Sequence, residues 1–130
     1  MKIRNRVQVI GNLGADPIIK EFKNGKKMAR FTVASDELNL IKRAGEEKKQ
    51  FVKVTTWFNV TAWGKNAEIA QERLCKGDEV IINGSLVTTS FTDRSGNIRK
   101  ISEVMAESIL YRNYRFEIER HNNEQSNQRA

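Results

Sequence analysis

The sequence is poor in the residues from which most small sites are built. It has one cysteine, one proline and one histidine in 130 residues. A single cysteine, Cys75, excludes an intrachain disulfide and suits a cytoplasmic compartment. One cysteine and one histidine, His121, cannot make a zinc site. No apolar run approaches the roughly 20 residues that cross a bilayer as a helix, so no membrane partner is expected. The opening MKIRNRVQVIGN lacks the apolar stretch and cleavage site of a signal peptide. Gly64-Lys65 lacks the upstream glycine of a phosphate-binding loop. Asp16, Asp36, Asp78 and Asp93 are scattered, and turn chemistry accounts for them better than a metal site does. With no nucleophile, base or metal cluster, the chain reads as non-enzymatic, with no catalytic residue, metal or cofactor.

What the chain has in excess is positive charge. Lysine and arginine number 23 against 16 acidic residues, a formal net charge of +7. A polyanion is therefore the first partner to consider. Hydrophobic residues make up 38% of the chain, enough for one domain with a modest core.

Period and punctuation order the elements. Residues 3–13 alternate as a strand, with Ile3, Val7 and Val9 against Lys2, Arg4, Arg6 and Gln8. GADP (14–17) interrupts it. IIKEF resumes extended structure before Asn24-Gly25, a hairpin signal. KMARFTVAS (27–35) is the second main strand. Residues 36–50 are charge-rich and read as a projecting loop or ribbon. FVKVTTWFNVTAW (51–63) is the third strand. Over 65–78 the period turns helical, with Ala67, Ile69, Ala70 and Leu74 on one side, Cys75 in the last turn and Lys76-Gly77 as the stop. EVIINGSLVTT (79–89) is the fourth strand, TDRSGN (92–97) a turn, and residues 98–111 the fifth strand. Three strands, a helix between strands 3 and 4, and two more strands make an all-β, five-stranded OB-fold barrel. This domain takes residues 1–111. Residues 112–130 are a polar C-terminal extension in which Tyr114, Phe116 and Ile118 alternate as a further short strand would.

The third strand raises a question of sidedness. Val52, Val54, Thr56, Phe58, Val60 and Ala62 share one face, a plausible core face. Phe51, Lys53, Thr55, Trp57, Asn59, Thr61 and Trp63 share the other, so both tryptophans of the chain stand on the polar side. An exposed ring beside lysine is a platform for an unstacked base, and Asn59 is placed to hydrogen-bond a base or sugar. Phe91, at the mouth of the last hairpin, is a third candidate ring. Lys42, Arg43 and Lys53 join the cations available to phosphates. Periodicity leaves two rivals open: a bulge that reverses parity, or an oligomer interface that covers the rings.

Several segments, in order, resemble bacterial single-stranded DNA-binding proteins. NRVQVIGNLGADP (5–17) is similar to their opening strand and turn, and KNGKKMARFTVAS (23–35) to their second strand. TWFNVTAWGKNAEIAQERLCKGDEVIINGSL (56–86) is similar to their third strand with its aromatic-Gly-Lys step, helix and Lys-Gly turn. SFTDRSGNIRKISEV (90–104) resembles their last hairpin. The resemblance runs from about Asn5 to Ile109. It implies an OB-fold, a homotetramer (with a dimer as fallback), and sequence-independent binding of single-stranded DNA in replication, repair or recombination. It implies stacking roles for Trp57, Trp63 and Phe91, phosphate roles for Arg6, Lys65 and Lys76, and a cytoplasmic, nucleoid-associated location.

The chain departs from that family's pattern at four places. Near Asn39, where the family commonly has a tryptophan, it offers Leu38, Leu40 and Ile41. VTTS (87–90) replaces a basic run. Phe58 replaces a frequent histidine, on the face opposite Trp57. The family's glycine-rich linker and acidic tip have no counterpart in a sequence ending EQSNQRA, so tip-mediated recruitment of replication and repair enzymes is not expected. Two rival functions share the fold: a primosome-type adaptor that docks a helicase or primase, and an RNA chaperone.

Overall fold

The computed structural model of the chain describes residues 5–112. The expected alternation at residues 2–4, His121 and the extension from 113, with its alternating Tyr114, Phe116 and Ile118, lie outside the described residues. In chain order the elements are β1 (Val7–Leu13), β2 (Ile18–Glu21), β3 (Lys27–Ile41), β4 (Gln50–Trp63), α1 (Lys65–Arg73), β5 (Glu79–Thr92) and β6 (Ile98–Arg112). The sheet order is β1-β5-β6-β4-β3-β2, and a further β1–β3 pairing at Asn12↔Ala34 and Leu13↔Val33 closes five strands into a barrel. β2 is the short hairpin arm beside β3 and lies outside the closed ring. Neighbours run antiparallel except β4 and β6, which meet in parallel at Val60↔Val104 and Thr61↔Met105. Five main strands with the helix between the third and fourth of them is the OB arrangement expected.

The core follows the two-residue period. Val9 and Leu13 of β1, Ala29, Phe31 and Val33 of β3, Val80 and Ile82 of β5, and Val104 of β6 are all buried. The helix lays Ala67 and Ala70 into the same core, and Leu74 just past its end joins them. Gly64 makes the step from β4 to α1: its φ of 60° lies where glycine is favoured, and its carbonyl accepts the first helical bond from the Glu68 amide at 3.0 Å. A register shift at Asn83/Gly84 bends the β5–β6 pair. Asn66, at the start of α1, donates to the carbonyls of Ala106 and Glu107 at this shift.

The helix is shorter than the period predicts. It ends at Arg73, and Leu74 turns extended so that its side chain enters the core. Cys75 therefore follows the helix instead of sitting in its last turn. Its amide donates to the Asp78 carboxylate at 2.9 Å, a partner that continued helix would not supply.

Two ribbons project from the barrel. β3 and β4 stay paired from Ser35↔Thr56 out to Ile41↔Gln50, and β5 and β6 out to Thr92↔Ile98. The segment 36–50 is thus mostly ribbon. Here the expected core face fails: Val54 and Thr56 are exposed and Val52 is half-buried. Parity is intact, but a two-stranded ribbon has no core under either face. The buried face of β4 begins at Phe58, which packs half-buried against the core.

Candidate nucleic-acid interface

β4 holds Trp57, Asn59 and Trp63 on its outer face, and all three are exposed. Trp57 is 60% and Trp63 40% accessible. The parity reading of the two rings holds in this chain. At about 3.3 Å per residue, the six-residue interval separates them by about 20 Å along the strand.

Each ring has its own support. Trp57 lies over the backbone that leaves β1: a Cβ placed on Gly14 would stand 2.4 Å from the Trp57 ring and 2.9 Å from Thr32 Oγ1. The glycine lets one face of the indole approach the main chain while the rest stays open. Trp63 stacks on Phe22, with ring centroids 5.7 Å apart and planes inclined by 18°. Lys20 Nζ sits over the same Phe22 ring, 5.0 Å from its centroid, so the phenyl meets both a cation and an indole at that end of the strand.

Between the tryptophans the surface sinks into a groove of about 260 Å³, lined in part by Asp16, Arg30, Thr32, Asn59 and Thr61. Thr61 has outward parity yet is buried, because Glu103 from β6 covers it. The Thr61 hydroxyl donates to Glu103 Oε2 at 2.7 Å, and the Arg30 guanidinium lies 3.9 Å from Glu103 Oε1. Arg30 remains more than half exposed and faces the groove.

The remaining predicted residues distribute around this strip. Lys65 follows Trp63 and Gly64 at the start of α1, exposed. The Lys76 amide donates to Asp16 Oδ1 at 2.8 Å, which holds the Lys76 turn against a groove-lining residue. Lys42 and Arg43 are exposed in the loop at the end of the β3–β4 ribbon, and Phe91, 46% accessible, lies near the end of the β5–β6 ribbon. Arg6 precedes β1, next to Asn5, whose side chain pairs with the backbone of Leu86. Lys53 is not an isolated cation: its Nζ lies 3.3 Å from Asp36 Oδ2. The Asp36 carboxyl is held below the ordinary carboxylate range first by the Thr55 hydroxyl and then by Lys53.

Sequence reasoning missed Phe22, Arg30 and Gly14. The first stacks on a ring 41 positions away, and a local period carries no trace of such a contact. Among the described residues no group of histidine, cysteine and carboxylate side chains is arranged to hold a metal ion. No described helix is long and apolar enough to cross a membrane.

The Single-strand binding protein family matches residues 4–112, which include the barrel and both ribbons. The chain belongs to that family. Single-strand binding proteins bind single-stranded DNA, typically in replication and repair, and are non-catalytic DNA binders. A Plasmodium falciparum SSB solved in complex with ssDNA is similar over 87% of this chain and 98% of that chain, with a TM-score of 0.77 and 23% identity. That likeness is one of fold.

Proposed function

We propose that this single-strand binding protein holds DNA along the outer face of β4, stacking bases on Trp57 and Trp63 and leading phosphates past the surrounding cations. The observation that carries this is the pair of exposed indoles on one strand face, each backed on one side by Gly14 or Phe22 and open on the other. A stacked base contributes about 1–3 kcal/mol and needs no particular sequence. Asn59 supplies a hydrogen-bonding edge between the rings, and Arg30 a further cation. Phe91 extends the surface along the second ribbon. Arg6, Lys42, Arg43, Lys53, Lys65 and Lys76 serve as phosphate contacts, Lys53 sharing its charge with Asp36. The protein acts without catalysis, cofactor or metal, in the cytoplasm at the nucleoid. Its DNA-binding domain is residues 1–111, with 112–130 as a separate extension; the family match ending at residue 112 supports that boundary. An adaptor that docks a helicase or primase has no comparable use for two paired exposed rings.

The working unit is a homotetramer, with a dimer as fallback. Over Val7–Gly11 β1 pairs with β5 on one side and has no described strand on the other. Across the outer sheet, Ile10 stands beside Ile81 and Ile81 beside Leu110, with Ile10 and Leu110 more than half exposed. An open edge next to an apolar row is a surface suited to a second copy.

Titration of intrinsic fluorescence with oligothymidine at two salt concentrations tests the reading. Fluorescence should fall with single-stranded and hardly change with duplex DNA. The logarithm of affinity should fall with that of salt by about 0.7 per phosphate contacted. Unquenched tryptophan and a flat salt dependence together would reject the reading.

A further inference from the structure

β4 carries a third ring in the same series. Phe51, Trp57 and Trp63 stand at six-residue intervals on one strand. An even interval returns a side chain to its own face. The ribbon register fixes the neighbours on that face: Leu40 opposite Phe51, Leu38 opposite Lys53, Asp36 opposite Thr55 and Ala34 opposite Trp57. Side-chain contacts agree, since Asp36 bonds to Thr55 and pairs with Lys53.

Phe51 is 72% accessible, more than either tryptophan, and Leu38 and Leu40 beside it are 71% and 50% accessible. A two-stranded ribbon gives this ring no core to enter. Its cross-strand partner on the same face is Leu40, placed to flank the phenyl, which stays open to solvent. The loop beyond, residues 42–49, carries four basic residues against two acidic ones. An aromatic ring flanked by lysines, on the face already bearing Trp57, suits a base with its phosphates better than it suits an apolar protein surface.

We propose that Phe51, backed by Leu40, is a further base-stacking platform, so that the bound strand continues from Trp57 outward along the β3–β4 ribbon. This rests on the binding reading above and lengthens the track by a second interval of about 20 Å. The ring also supplies the stacking surface that Leu38, Leu40 and Ile41 cannot.

A single-tryptophan reporter tests it: Phe51→Trp combined with Trp57→Phe and Trp63→Phe. The reporter should be open to acrylamide in the unbound protein and quenched by long oligothymidine. Separately, Phe51→Ala should weaken binding of long oligothymidine about fivefold or more, the low end of one lost stack. The loss should be smaller for an oligomer too short to pass Trp57, and Phe51→Tyr should restore affinity. Unchanged affinity of Phe51→Ala alongside weakened Trp57→Ala overturns this proposal and leaves the binding reading standing. If Trp57→Ala is also unchanged, the stacking reading itself falls. A reporter already shielded before DNA is added, with a smaller mass for Phe51→Ala by light scattering, assigns the ring to a second copy and overturns the proposal.

Discussion

Thr61 donates to Glu103 across the place where β4 and β6 run parallel, and both side chains are buried. This bond closes the barrel beneath the groove and fixes the carboxylate that faces Arg30. Thr61→Val keeps the side-chain shape but leaves a buried acceptor short of its donor. It should cost about 1–3 kcal/mol in urea unfolding with little change in the denaturant slope. Because Arg30 loses a well-held counter-charge, DNA affinity should shift less than stability does.

The two tryptophans should differ in what they cost. Trp57→Ala should remove about 1–3 kcal/mol of binding and leave the thermal midpoint nearly unchanged, since the ring is mostly exposed. Trp63→Ala should lose a similar amount of binding and also about 0.5–1.5 kcal/mol of stability, because it strips Phe22 of its stacking partner. Calorimetric unfolding and oligothymidine titration on both variants separate the two effects.

Gly14→Ala is a test of ring placement. The new Cβ would meet the Trp57 ring at 2.4 Å, so the indole must swing away. DNA affinity should fall toward that of Trp57→Ala, and the tryptophan emission maximum should shift before any DNA is added. Parent-like emission and affinity would mean that the ring has room to spare.

The β5–β6 ribbon carries an acid-sensitive tip. The Asp93 carboxyl is held below its usual value of 3.8, first by the Arg99 guanidinium and then by the Asn97 amide, against an opposing effect of desolvation that exceeds the small further help of the Ser95 amide. A depressed carboxylate contributes order that is complete above 3.8 and is lost as pH falls through the lowered value. Nuclear magnetic resonance should show the Asn97 amide moving with a midpoint below 3.8. Asp93→Asn should abolish that titration at every pH.

Assembly can be checked at the apolar row. Light scattering at micromolar concentration should report four copies for the parent. Ile10→Lys, at a position exposed in the single chain, should give a smaller species without unfolding it. A parent that is monomeric would refute the assembly proposal.

The barrel was legible because its strands alternate and its helix does not. Val9, Val33, Val60, Val80 and Ile82 fall where the two-residue period puts them, all buried. The ribbon residues Val54 and Thr56 obey the same period and yet are exposed, because period reports sidedness and not whether anything covers the side. Thr61 is the converse: its parity points out, and a carboxylate from β6, 42 positions away, buries it. The end of α1 was missed for the same reason, since Asp78 claims the Cys75 amide from beyond the helix. The rings of the site were readable on their strand. Their supports, Gly14 and Phe22, belong to the tertiary fold.

Phe51, Trp57 and Trp63 share one uninterrupted strand, so their common face depends on chain length between them as much as on their chemistry. Inserting or deleting one residue between Phe51 and Trp57 would turn Phe51 to the opposite face of the ribbon, while a change of two would keep it. The loop at residues 42–49 lies outside that interval, and its length can vary without turning any of the three rings. Substitution therefore tunes each ring separately, while length is tolerated in the ribbon loop and counted in pairs along the strand.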